Sequence, residues 1–253
     1  LDANSRISLG NNDTSAVTST TIFGYLAGQD IASGATHNTY FGSLAGSEQT
    51  TGDNNTYIGA NAGLGVNGNA NSHNVGVGAN ALLAVTTGER NVAIGKDAFP
   101  ALTDGAYNVA IGYQAGYGGN ASQNTFVGYQ SGYAVSASGN VVVGRQALSV
   151  ASSVVNNTVI GHWAMKDVAS SQAINDCVSI GYQALKGSST TTTGIDGTVA
   201  IGKDALTALT TGGYNTSVGY RSSTALVDGS SNTSLGYDSL LALTGGANNI
   251  AIG

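Results

Sequence analysis

The sequence predicts an all-β fold: a parallel β-solenoid with coils of about 17 residues, stacked into an elongated rod. Three observations predict it. A phrase of the form Asn-Val-Ala-Ile-Gly recurs from end to end, its glycine falling at Gly10, Gly24, Gly42, Gly59, Gly78, Gly95, Gly112, Gly128, Gly144, Gly161, Gly181, Gly202, Gly219, Gly236 and Gly253. Seven of the fourteen intervals are 17 residues and the rest run from 14 to 21; a short fixed period is the mark of a stacked array. Charged residues are only 9% of the chain and glycine is 38 of 253, against about 25% charge in ordinary globular domains. With one proline, Pro100, the composition suits neither a charge-rich nor a Pro-rich disordered linker.

The repeat is clearest at Asn91, Val92, Ile94 and Gly95 and, one period on, at Asn108, Val109, Ile111 and Gly112. The residue before the glycine is apolar in all fifteen copies, and the residue three before it is Val, Ile or Thr. Two positions apart, these side chains share one side of an extended strand, and β-branched residues suit a half-buried pleated surface. The expectation is a short strand with both facing inward. The small residue between them, such as Ala93, Ala110 or Ser217, then faces outward, toward solvent or a closely packed surface. Asn stands four before the glycine in eleven copies. Stacked at roughly 4.8 Å, such amides can hydrogen-bond along the column.

The glycine itself marks a bend that other residues resist. Three residues later comes a small residue, such as Ala45, Ala98 or Ser131, followed by Gly or a larger apolar residue such as Leu82, Phe99 or Leu148. This is a second inward segment. Where the strand carries Tyr40 or Tyr57 that last site is glycine, so the two positions change together and conserve volume. Turns such as Thr86-Thr87-Gly88 and Thr103-Asp104-Gly105 close the coil.

Taken in order, residues 1–20 read as an irregular capping or junction coil, with Ile7-Ser8-Leu9-Gly10 a degraded copy of the repeat. Residues 21–253 read as the repetitive solenoid, part of a longer chain. The intervals Gly161–Gly181 and Gly181–Gly202 are long, at 20 and 21 residues. Their extra residues, 166–176 and 187–197, are expected to loop out on one face, which in solenoids is often the binding face.

The phrase Asn-Val-Ala-Ile-Gly with its small residue three on resembles the head repeats of trimeric autotransporter adhesins. Its longer version, Thr-Thr-Gly-x-x-Asn-x-x-Ile-Gly-Tyr-Gln-Ala-Leu, resembles repeats of bacteriophage tail fibres. The resemblance covers about 20–253. It implies a left-handed parallel β-roll, three chains side by side, and a role in attachment. A physical argument for an oligomer runs alongside: ordering a whole coil costs more than its few small apolar side chains return, and burying a second face on neighbouring chains narrows the gap.

The expected function is therefore a non-enzymatic structural fibre for host or surface attachment, extracellular and most like a phage tail-fibre segment. A bacterial cell-surface adhesin head is the nearest alternative. A homotrimer, with a cell-surface glycan or protein as receptor, is the expected set of partners. A net charge of −6 without a basic patch disfavours nucleic acid, and no apolar run approaches the ~20 residues of a membrane span. No cofactor, metal site or catalytic constellation is expected. His37 and His73 share a column but lie two strand spacings apart, roughly 9–10 Å, too far to share a metal. Cys177 replaces Asn in its column and reads as a small substitute, with an interchain disulfide conceivable. Tyrosines follow the glycine at Tyr25, Tyr113, Tyr129, Tyr182, Tyr220 and Tyr237, as a packing ladder or a platform for sugar rings. The candidate receptor contacts are His162, Trp163, Tyr182, Thr190, Thr191 and Thr192.

Two other classes were weighed. A monomeric ice-binding-type solenoid is invited by Thr39, Thr56, Thr125, Thr158, Thr216 and Thr233, but that column alternates with valine and is expected to point inward. A hexapeptide-repeat acyltransferase fails because the glycine recurs once per coil.

Overall fold

A computed structural model describes residues 5–9, 19–32, 34–66, 68–168, 173–188 and 192–253. The chain forms two compact units, Leu1–Gln123 and Asn124–Gly253, and each is a parallel β-solenoid. No helix occurs among the described residues. The first unit carries β1 (Ser5–Leu9), β2 (Thr21–Tyr25), β3 (Thr39–Phe41), β4 (Thr56–Ile58), β5 (Val75–Val77), β6 (Val92–Ile94) and β7 (Val109–Ile111). From β2 to β7 each strand pairs in parallel with the next, one per coil, so that Val92 lies beside Val109 and Ala93 beside Ala110.

The start of the chain departs from expectation. β1 pairs antiparallel with β2, so Ile7-Ser8-Leu9 is no further coil of the solenoid. It covers the hydrogen-bonding edge that β2 would otherwise leave open, which guards against edge-to-edge association. Gly10 lies outside the described residues.

The second unit carries β8 (Thr125–Val127), β9 (Val141–Val143), β10 (Val154–Val155), β11 (Thr158–Ile160), β12 (Ile174–Asn175), β13 (Val178–Ile180), β14 (Val199–Ile201), β15 (Thr216–Val218), β16 (Thr233–Leu235) and β17 (Ile250–Ile252). Its main sheet is again parallel and in register. β10 and β12 form a small parallel side sheet. The long intervals are thus partly folded into the coil wall: Ile174 and Ile195 are fully buried.

The facing of the strands is the reverse of the expectation. The middle residue of each three-residue strand points in: Tyr40, Tyr57, Ala93, Ala110, Phe126, Val142, Val159 and Ala200 are all 0% exposed. The flanking β-branched residues point out, and Ile58, Ile94, Ile111 and Ile160 are each 38% exposed. The cause is the narrowness of the coil. The Ser179 hydroxyl donates to the Ala184 carbonyl at 2.8 Å and Ser217 to Ser222 at 2.9 Å. One side chain therefore spans from strand to opposite wall. The closely packed surface expected against the small column exists, but it is the other wall of the same coil.

The paired change of two columns follows from this. A Cβ at Gly46 would stand 2.8 Å from the Tyr40 ring, and one at Gly132 would stand 2.6 Å from Phe126. Where the strand contributes only Ala93, Ala200 or Val142, the opposite site holds Phe99, Leu206 or Leu148, all buried.

The asparagine column forms the expected ladder, and it is buried. Asn91 Oδ1 accepts from the backbone N and the Nδ2 of Asn108, at 3.0 and 2.9 Å. Asn91 Nδ2 reaches the Gly105 carbonyl at 2.9 Å. The same pattern joins Asn140 to Asn157 and Asn215 to Asn232 in the second unit. Gly105 is glycine because a Cβ there would strike the carbonyl of Ala121 in the next coil. The column glycines work the same way: Gly95, at φ +134°, packs directly on the backbone of Gly112.

The corners hold a feature that the glycine-based turn signals missed. In the coil of Gly95, the non-glycine residues Asp97, Phe99 and Tyr107 all take left-handed φ values of 55°, 46° and 60°. Each such residue costs roughly 1–2 kcal/mol, offset at Phe99 by complete burial.

Candidate functional site: an aromatic and cationic edge

The position directly after the column glycine points outward, and in the second unit it builds a row. On successive coils it holds Tyr129, Arg145, His162, Tyr182, Lys203, Tyr220 and Tyr237. Parallel pairing in register sets these side chains one coil apart, so each meets its neighbours. Tyr220 and Tyr237 stack at 5.3 Å with an interplanar angle of 9°. Lys203 Nζ lies 5.8 Å from the Tyr182 ring and 5.0 Å from that of Tyr220. The Arg145 guanidinium lies 5.6 Å from the Tyr129 ring. These separations suit cation–π attraction.

The structure brings three of the sequence-predicted contacts together. His162 and Trp163 lie 4.4 Å apart, His162 and Tyr182 5.5 Å, and Trp163 and Tyr182 5.9 Å, all between ring centroids. Trp163 Nε1 donates to Gln146 Oε1 at 3.0 Å, and Gln146 Nε2 donates to Gln130 Oε1 at 3.0 Å. The indole is thereby held in one orientation. Its residue takes the left-handed corner, φ 61°, which turns it out of the coil while Ala164 and Met165 turn in.

Thr192 is a correction. It is fully buried, and its hydroxyl donates to the Ser188 carbonyl at 2.8 Å. It ties down a loop and offers no surface to a receptor. Thr190 and Thr191 lie outside the described residues.

The sequence reading of scattered cations also changes. Lys96, Arg145 and Lys203 directly follow column glycines, Arg221 stands one further on, and Lys166 and Lys186 stand five after theirs. Scattered along the chain, these cations recur on the same stretch of the coil. Most carry a carboxylate partner: Lys203 with Asp204 at 2.8 Å, Lys166 and Lys186 with Asp167 at 3.5 and 3.3 Å, Arg221 with Asp238 at 3.5 Å. Arg145 differs. Its Nη1 donates to His162 Nε2 at 3.1 Å, and among the described residues no carboxylate pairs with it.

The remaining chemistry is structural. His37 and His73 are left-handed corner residues, φ 57° and 61°. Among the described residues no group of three or more His, Cys, Asp or Glu is placed to hold a metal ion. Cys177 is buried inside the coil, with Sγ 3.2 Å from the Ile195 carbonyl. Burial pushes its thiol up to about 12. That placement removes the interchain disulfide. No helix among the described residues is long and apolar enough to cross a membrane. Comparison with protein-family models, curated proteins and solved structures found no match.

Proposed function

We propose that this chain is a segment of a non-enzymatic, homotrimeric attachment fibre, displayed outside the cell and most like part of a phage tail fibre. A bacterial surface adhesin head shares every feature used here and is the nearest alternative. One observation carries the reading: the outward apolar columns of the strands. The two flanking positions of the fourteen coil strands give 28 side chains, of which 21 are apolar, seven are Thr and none is charged. Contiguous exposed apolar surface of this kind marks an interaction site. Its partner is a second copy of the chain, since the same repeat presents the same in-register columns. The number three and the left-handed coil come from the resemblance to adhesin and tail-fibre repeats.

Sedimentation of the purified chain over a range of concentrations tests this. A stable species of three times 25.1 kDa is expected. A monomer at every concentration refutes the interface, and a stable species of another stoichiometry refutes the trimer.

A second reading gains from the structure. Thr39, Thr56, Thr125, Thr158, Thr216 and Thr233 face outward, so the objection that they point into the coil is gone. An ice-binding-type face is then the alternative use of the same columns. Inhibition of ice recrystallisation by a monomeric chain would favour it over the fibre.

A further inference from the structure

The edge around Trp163 is built differently from the apolar columns. It joins flat aromatic faces to cations, in a chain whose net charge is −6. Within the second unit it gathers Arg145, Lys166, Lys186 and Lys203 against two carboxylates, Asp167 and Asp204. Local charge is thus opposite in sign to that of the whole chain.

Most of this edge has a structural use. Its tyrosines and lysines cover one another, and its lysines pair with aspartates. Arg145 is the exception. It is exposed, stacked near Tyr129, and hydrogen-bonded to an imidazole that brings no negative charge. A guanidinium with donors to spare matches a carboxylate in two-pronged geometry. Beside it stands an indole fixed by Gln146, and on the next coil Tyr182 is 37% exposed. Aromatic faces pack on the apolar C–H faces of sugar rings, while their polar tips stay wet. The strand spacing of about 4.8 Å also sets these groups at a regular repeat along the edge.

We propose that this edge binds an acidic polysaccharide, with a sugar carboxylate on Arg145 and adjacent rings against Trp163 and Tyr182. The proposal deepens the attachment reading and rests on it for its biological purpose. The site lies wholly within the second unit.

Trp163 is the only tryptophan of the chain, so its fluorescence reports directly on the site. The intact chain is titrated with polygalacturonate, with dextran sulfate and with neutral dextran. A saturable change in Trp163 emission with polygalacturonate alone is expected. Arg145→Gln should weaken that binding at least tenfold, with Arg145→Lys recovering part of it. Arg90→Gln, which changes an exposed cation elsewhere, should leave it unchanged. Arg145 is exposed, so its variants are expected to keep the fold, and circular dichroism checks this. Equal response to dextran sulfate reduces the edge to an unspecific polyanion surface and overturns the proposal. A response to dextran, no response to polygalacturonate, or wild-type binding by Arg145→Gln also overturns it. Sedimentation of the same sample reports the trimer separately, so failure of the ligand and failure of the fibre are distinguishable.

Discussion

Replacing Asn91 by alanine removes four hydrogen bonds from the coil interior. Asn91 Oδ1 holds the backbone N and the Nδ2 of Asn108, and its Nδ2 reaches the Gly105 carbonyl and Asn74 Oδ1. Two of the abandoned groups keep other partners: Asn108 Nδ2 still donates to Ala121, and Asn74 Oδ1 still accepts from the Asn91 backbone. The Asn108 amide and the Gly105 carbonyl lose the side chain that served them. Each buried orphan costs about 1–3 kcal/mol, so the expected loss is about 3–4 kcal/mol. Asn91→Asp keeps the acceptor, lacks the donor and buries a charge, and should lose at least as much. Thr87→Ala, at an exposed turn of the same coil, should stay within about 0.5 kcal/mol. Urea unfolding reads this as a lower midpoint at unchanged slope. A loss under about 1 kcal/mol for Asn91→Ala, in a chain that still unfolds cooperatively, would refute the idea that the ladder holds coil to coil.

Gly95→Ala should destabilise by 3 kcal/mol or more, as an order-of-magnitude expectation, because φ +134° disfavours a side chain and its Cβ would enter the Gly112 backbone; a near-neutral thermal midpoint would count against the stacked-glycine argument. Cys177→Asn should raise the midpoint by about 1 kcal/mol of stability, since an amide donor replaces a weak thiol donor opposite the Ile195 carbonyl. The same variant tests linkage. The thiol titrates near 9.0 when unfolded and near 12 when folded, so between those values the folded chain keeps a proton that the unfolded chain has released. Stability is full below pH 9 and falls by about 1.4 kcal/mol per pH unit above it. Removing the thiol should flatten that decline by one proton, although burial also raises Tyr40 and Tyr57. Unfolding curves between pH 8 and 11 that are identical for both proteins would exclude it.

Much of the fold was legible because a period leaves little freedom. Once each coil repeats the last, Val92 must lie beside Val109 and Asn91 beside Asn108. What the repeat does not state is which side of the strand is inside. Spacing two apart places Val92 and Ile94 on one side, and it places Asn91 and Ala93 on the other just as firmly. Apolar residues were given the inside on the ordinary rule for half-buried strands. That rule assumes an interior wide enough for valine and isoleucine from both walls. Here the walls lie one side chain apart, and alanine, serine and asparagine fit where isoleucine does not. Two signals in the sequence pointed the right way. Tyr57 pairs with Gly63 and Ala93 with Phe99, a compensation of volume that only two inward positions require. The asparagine column shares the parity of Ala93, so burying the ladder also buries the alanine. The functional edge was harder to see. His162, Trp163 and Tyr182 stood out as rare or aromatic residues, but Arg145 and Lys203 looked scattered until the coils placed them one above another.

The reversed facing changes the physical argument for association. Had valine and isoleucine filled the coil, an isolated chain would already hold its best apolar material inside. Instead the interior is lined mainly by small side chains and amides, and the β-branched residues stand outside. Stacking in register lets each cover the flanks of its neighbour, which is why Ile94 is 38% rather than fully exposed. The remaining surface is worth about 1 kcal/mol per isoleucine if another chain covers it. Strand propensity alone accounts for part of this, because β-branched residues favour strands whether buried or not. It does not account for the position before the glycine. There the side chain is apolar at every described coil, including Phe23, Phe41 and Leu235, which are not β-branched. Threonine, which has the same propensity and tolerates water, is confined to the first strand position. The last strand column is therefore composed as a surface to be covered, and the first column, mixing Thr with Val, as its margin.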